Sequence, residues 1–143
     1  KTKNIHNEAK RLIEKFSVKT KSENDKIDSL SGGNIQKVVV AREWNTNPHL
    51  MVAEQPTRGI DIGSANYIHH QLIDMRNNGS ALLLVSADLN EVMALSDRLL
   101  VMYEGEIVAY FDSLKGITES QLGLYMLGVE HQSEEEIRGA VYE

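Results

Sequence analysis

Two hydrophobic patterns alternate along the chain: apolar residues recurring every three or four positions, and short runs that are apolar throughout. They predict helices and strands respectively. Ile5, Ala9, Leu12, Ile13 and Phe16 fall on one helical face, so the first segment reads as an amphipathic helix. The polar residues 19–28 read as a loop. After Leu30-Ser31-Gly32-Gly33-Asn34, the residues Ile35, Val38, Val39 and Arg42 carry a second helix to about Trp44, and Asn47-Pro48 breaks it. Leu50-Met51-Val52-Ala53 is too short for a helix and reads as a buried strand. Residues 64–77 place Ala65, Ile68, Leu72 and Ile73 on one helical face, and Asn78-Gly79 ends that helix. The run 81–85 is again wholly apolar, the pattern of a parallel sheet covered on both faces.

Further on, Asp88-Leu89-Asn90-Glu91 has the form of a capping box for a short helix to Leu95. Residues 98–103 and 106–111 flank Glu104-Gly105 and read as a hairpin. Thr118-Glu119-Ser120-Gln121 caps a last helix, and the acidic stretch after Gly128 reads as a loose tail. The rhythm is that of an α/β fold, a parallel sheet with flanking helices and a terminal antiparallel hairpin. There is no internal repeat and no low-complexity segment.

Composition narrows the function classes. The chain has 143 residues, 41% hydrophobic and 25% charged, which suits one domain with a core rather than a disordered segment. No apolar run approaches the roughly 18–20 residues of a membrane-spanning helix, so no direct membrane insertion is expected and any membrane link runs through a partner. The opening Lys1-Thr2-Lys3-Asn4 lacks an initiator Met and an apolar stretch behind it, so it reads as the start of a fragment rather than a signal peptide. With no cysteine, disulfides, thiol catalysis and Cys-based zinc sites are excluded. A net charge of −6 argues against nucleic acid as a partner. That charge is uneven: residues 1–21 carry seven Lys/Arg against two Glu, and residues 130–143 carry five Glu and one Arg. Both ends read as solvated faces. His69 and His70 are adjacent on a helix and diverge by about 100°, which disfavours a joint metal site.

The candidate chemistry lies at Ser31-Gly32-Gly33, at a helix start. Glycines allow close approach of backbone to a ligand, the first turn offers free N–H groups at the positive end of the helix dipole, and Ser31 adds a hydroxyl. The arrangement suits a terminal phosphate. Alone the motif is weak, because such a string is often only a capped loop.

Its surroundings make it specific. Leu30-Ser31-Gly32-Gly33-Asn34-Ile35-Gln36-Lys37-Val38 is followed, at the end of the first apolar run, by Glu54-Gln55-Pro56-Thr57-Arg58-Gly59-Ile60-Asp61. Then come Leu83-Leu84-Val85-Ser86-Ala87-Asp88-Leu89, Leu95-Ser96-Asp97-Arg98 and Glu104-Gly105-Glu106-Ile107. Over about residues 5–127 this series resembles the ATP-binding cassette family, in the order signature motif, Walker B, D-loop, switch loop and terminal strands. Asn34, the Pro-Thr-Arg-Gly-Ile-Asp string and the non-histidine switch resemble the second cassette of fused importers for simple sugars and nucleosides.

The resemblance implies a truncated P-loop NTPase fold. Residues 1–48 would be the end of a helical subdomain with the signature motif, 49–127 the C-terminal part of a RecA-like ATPase core, and 128–143 an acidic flexible tail. It implies ATP and Mg²⁺ as cofactors of the intact parent, and a partner nucleotide-binding domain and transmembrane permease subunits as partners. The parent would be a peripheral ATPase on the cytoplasmic face of the cell membrane. Ser31, Gly32, Gly33 and Asn34 would grip the γ-phosphate of ATP held by the partner cassette, and Asp61 would be the D-loop aspartate.

Three departures qualify this. No Gly-x-x-x-x-Gly-Lys-Ser/Thr loop occurs in the chain, so the phosphate cradle is expected upstream and the fragment by itself is not expected to act as an enzyme. Anchoring on Pro56-Thr57 puts Glu54 at the magnesium-holding position, where it would act through water, and Gln55 at the catalytic glutamate position. A rival register with Ala53 and Glu54 as the pair requires an inserted residue before Pro56. The switch position, usually histidine, is Ala87. Gln55 and Ala87 together imply that this cassette's own ATP site is degenerate. A soluble cassette ATPase of DNA repair or translation is the other reading, though the long coiled-coil or basic insertions of that class are not visible. A purely regulatory cassette is a third.

Overall fold

The structure, a computed structural model, describes residues 2–142 and the side chains of residues 4–139. The chain divides into two compact units, residues 1–85 and 86–143.

In the first unit, helix α1 (Thr2–Lys15) ends because Ser17 turns to φ 49°. That turn lets Ser17 N–H donate to Glu14 C=O and Val18 N–H to Ile13 C=O, and both satisfy carbonyls that the helix end would strand. The turn also delivers Phe16 and Val18 into a core with Ala41. Ile5, expected on the apolar face, is instead 68% exposed, since the packed stripe begins lower, at Leu12 and Ile13. A short 3-10 turn (Ile27–Ser29) interrupts the expected loop before helix α2 (Gly32–Trp44). Phe16 meets Trp44 and Tyr67 edge-on, with ring centroids 5.8 and 6.4 Å apart.

Strands β1 (Leu50–Glu54) and β2 (Ala81–Val85) pair in parallel, Leu50 opposite Ala81 and Glu54 opposite Val85, joined through helix α3 (Ile62–Asn77). Pleating sends Ala53, Leu82 and Leu84 to one side, where they pack on Ile68 and Leu72 of α3. The other side corrects the sequence reading. Leu50, Val52, Leu83 and Val85 are 46–59% exposed, so this sheet is covered on one face and not on both. The wholly apolar runs were composed for two-sided burial, and here α2 and α3 supply only one layer. At Asn78-Gly79, φ of 97° at Gly79 closes α3 as expected.

In the second unit, Asp88 caps helix α4 (Leu89–Leu95) by accepting from the N–H groups of Asn90 and Glu91. Strands β3 (Leu99–Tyr103) and β4 (Glu106–Phe111) form the expected antiparallel hairpin. Positive φ at Glu104 (49°) and Gly105 (87°) gives the two-residue turn whose twist matches paired strands. The pairing shifts between Val101 and Met102. Helix α5 (Glu119–Met126) carries a complete capping box between Thr118 and Gln121, and its Leu122 is buried with Val101, Val108 and Ala109. Residues after Gly128 depart from the loose tail read from the sequence. Gln132 N–H donates to Val108 C=O at 2.9 Å, the Gln132 amide oxygen accepts from Tyr110 N–H at 2.8 Å, and helix α6 (Glu134–Tyr142) follows. Its first turn holds Glu134, Glu135 and Glu136, so the acidic run that suggested disorder sits where the helix dipole favours negative charge. Among the described residues no helix is long and apolar enough to cross a membrane.

Candidate functional site

Within the first unit the starts of α2 and α3 meet. Ser31 is the residue before α2, in extended conformation, and its C=O accepts from Ile35 N–H at 2.9 Å. Its side chain makes no capping hydrogen bond, whereas Asp61, Asp88 and Thr118 each cap their helices with a side-chain oxygen. The first-turn N–H groups of this 13-residue helix are thus left without a side-chain cap, and Ser31 is exposed beside them. Asn34 lies one turn on. Its amide oxygen accepts from Lys19 N–H at 2.7 Å, and its amide nitrogen donates to Ser31 Oγ at 2.8 Å.

The glycines differ in what they do. A Cβ on Gly32 would meet only Gly59 C=O, at 3.9 Å, so this side of the helix start is open. Gly33 is buried. A Cβ there would overlap Ser64 Oγ and lie 2.9 Å from Ser64 Cβ and 3.1 Å from Asp61 Oδ2. The sequence reading gives both glycines to close approach of a ligand. The structure instead presses Gly33 against the start of α3.

Asp61 occupies the N-cap of α3. Its Oδ1 accepts from Ser64 N–H at 2.9 Å and its Oδ2 from Ser64 Oγ–H at 2.8 Å. The backbone N–H of Ser64, followed by its hydroxyl, holds the Asp61 carboxyl below the usual aspartate range. Sequence reasoning missed Ser64. The signal was present, since Asp-x-x-Ser at a helix start has the spacing of a cap and its third residue.

Glu54 ends β1 opposite Val85 and is exposed. Gln55 follows at φ 45°, its N–H donating to Val85 C=O at 2.8 Å and its C=O accepting from Arg58 N–H at 3.2 Å. A non-glycine residue in the left-handed region is uncommon and costs about 1 kcal/mol or more. The turn that holds Gln55 there also buries Pro56 behind it. Ala87 belongs to the second unit and is exposed just before the cap of α4. Among the described residues there is no cluster of three or more His, Asp or Glu fit to hold a metal ion. Glu54, the carboxylate expected to hold Mg²⁺ through water, stands exposed at the end of β1.

No protein-family model matches the chain. It is 44% identical over 124 residues to the guanosine import ATP-binding protein NupO of Bacillus subtilis, covering 87% of this chain and 24% of that protein. It is 42% identical over 124 residues to the nucleoside import ATP-binding protein NupA of Lactococcus lactis, again 87% of this chain and 24% of that protein. The ribose import ATP-binding protein RbsA of Caldanaerobacter subterraneus is 42% identical over 130 residues, 91% of this chain and 25% of that protein. The chain therefore spans about a quarter of the length of these curated relatives. Among solved structures, one ATP-binding cassette of an ABC transporter superposes with a TM-score of 0.70 at 24% identity, over 86% of this chain and 48% of that one. A dimeric bacterial ABC transporter cassette gives 0.66 at 26% identity, over 78% and 47%.

Proposed function

We propose that this chain, a homologue of sugar and nucleoside import ATP-binding proteins that carries part of the ATP-binding cassette fold, is a piece of the nucleotide-driven subunit of an importer. Its cargo class is a simple sugar or a nucleoside, the two chemistries named among its relatives. The intact subunit pairs with membrane permease subunits on the cytoplasmic face of the membrane and with a second cassette. In that pair the Ser31–Asn34 segment of this chain works in trans, on the γ-phosphate of ATP held by the other cassette.

The observation that carries this reading is the contrast among helix starts: of the five helices of at least seven residues whose preceding residue is described, α2 alone has no side-chain cap, and its exposed Ser31 stands beside uncapped N–H groups. Such a helix start favours a phosphate through both hydrogen bonding and its dipole. At this cassette's own ATP position, Gln55 orients a water but cannot take its proton, and a missing general base typically costs about 10²–10⁴ in rate. Ala87 offers no donor to a phosphate. Hydrolysis therefore runs mainly where this chain supplies the signature, and its own position stays slow. The test is Ser31→Arg in the intact subunit. Hydrolysis should be largely abolished while ATP binding to each cassette is kept, and hydrolysis at the wild-type rate would overturn the reading.

A further inference from the structure

The hydrogen bonds of Asn34 leave its side chain no freedom of orientation. Lys19 N–H is a donor with no acceptor capacity, so the atom facing it at 2.7 Å must be the Asn34 carbonyl oxygen. The amide nitrogen is then necessarily the atom facing Ser31 Oγ at 2.8 Å, and it can only donate. Ser31 Oγ is therefore an acceptor toward Asn34, and its own proton points elsewhere. None of the described residues accepts that proton, and Ser31 is exposed.

We propose that Asn34 is a positioning residue that fixes the polarity of the Ser31 hydroxyl, holding Ser31 as an outward hydrogen-bond donor at the start of α2. The role rests on the reading of Ser31 as a phosphate-gripping group, and it takes the Asn34 side chain away from the phosphate. A free serine hydroxyl rotates among three positions and offers a lone pair as readily as a proton. A γ-phosphate oxygen needs the proton. With its lone pair engaged by the Asn34 amide, the hydroxyl is preset as a donor, and the chain Asn34 N–H to Ser31 O–H to acceptor strengthens cooperatively. The backbone end of the relay is anchored as well: Lys37 Nζ donates to Ser17 C=O at 3.3 Å, which ties the segment bearing Lys19 to α2 a second time.

The test is ATP hydrolysis by the intact subunit carrying Ser31→Ala, Asn34→Ala, Asn34→Asp, and the Ser31→Ala/Asn34→Asp double change. Aspartate keeps the acceptor for Lys19 N–H but turns an acceptor toward Ser31, so the hydroxyl proton swings inward. Alanine loses both bonds and frees the hydroxyl to turn either way. The expected order of kcat is wild type, then Asn34→Ala, then Asn34→Asp equal to Ser31→Ala, the last two reduced on the order of 10²-fold, as for loss of one preorganised donor. KM for ATP stays unchanged, because the nucleotide is held by the other cassette. The double variant should be no slower than either single one.

A purely structural role for Asn34 inverts the order, making alanine worse than aspartate, and that result overturns the proposal. A double variant slower than both singles points to charge repulsion from the new carboxylate and overturns it equally. Should Asn34→Asp not fold, Asn34→Ala decides alone: kcat as low as that of Ser31→Ala refutes the preset-donor role. Wild-type hydrolysis in Ser31→Ala would remove the phosphate-gripping reading itself, and this inference with it.

Discussion

Replacing Gly33 with alanine should destabilise the first unit, although alanine is the better helix former. On propensity alone the change gains up to about 1 kcal/mol. Against this stands the contact with α3. The new methyl would overlap Ser64 Oγ and sit 2.9 Å from Ser64 Cβ. Rotation of the Ser64 side chain relieves only the first clash, at the loss of the 2.8 Å bond to Asp61. The Cβ moves only if the backbone of α3 moves. Overpacking of this kind typically costs about 1–3 kcal/mol, enough to reverse the propensity gain. Gly32→Ala is the internal control, since its methyl meets nothing nearer than 3.9 Å and should be neutral to stabilising. Ser64→Ala should not rescue Gly33→Ala, whereas Ser64→Gly should rescue it in part, because only glycine removes the Cβ. Urea unfolding followed by Trp44 fluorescence reads these differences directly. Trp44 is the single tryptophan, and it packs 5.8 Å from Phe16 in the same unit. The propensity gain is common to both alanine variants, so their expected separation is the overpacking cost, about 1–3 kcal/mol at equal m-value. Equal midpoints would refute the reasoning, and would mean that α2 and α3 do not meet as described.

The depressed Asp61 carboxyl makes the capping of α3 acid-sensitive. A folded-state value below the unfolded one adds stability above the ordinary aspartate range near 3.9, and this is lost as pH falls through the folded value. Asp61→Ala should therefore be less stable than wild type at neutral pH, with the gap closing in strong acid, as thermal melts at several pH values would reveal. Calorimetric titration of the 143-residue chain with Mg-ATP should give no heat of binding, since no phosphate-cradling glycine loop is in its sequence, and stoichiometric micromolar binding would contradict this. In the intact subunit with the first cassette's catalytic glutamate changed to Gln, adding Gln55→Glu with Ala87→His should raise hydrolysis well above that background. A background already running at the wild-type rate would show that another group supplies the base.

Periodicity and turn chemistry made most of the elements legible without coordinates. Asn78-Gly79, Glu104-Gly105 and Thr118-x-x-Gln121 each encode a local backbone geometry, which is why the end of α3, the hairpin and the start of α5 lie where the residues say. The strings Leu30–Val38 and Glu54–Asp61 likewise carried the family likeness, because each is a contiguous stretch at the start of α2 or between β1 and α3. What sequence could not give is anything set by atoms distant along the chain. Gly33 looked like a glycine kept for a ligand, and only the approach of α3 shows that Ser64 fills that space. Asn34 looked like one more phosphate contact, and only the fold brings Lys19 to its carbonyl. The apolar runs 50–54 and 81–85 signal burial on two faces, but composition records a demand for cover without saying what meets it, and here helices meet it on one. The acidic run 134–136 read as solvated tail because charge repulsion is visible in sequence. The offsetting dipole of α6, and the docking of Gln132 onto β4, exist only once the chain has folded back.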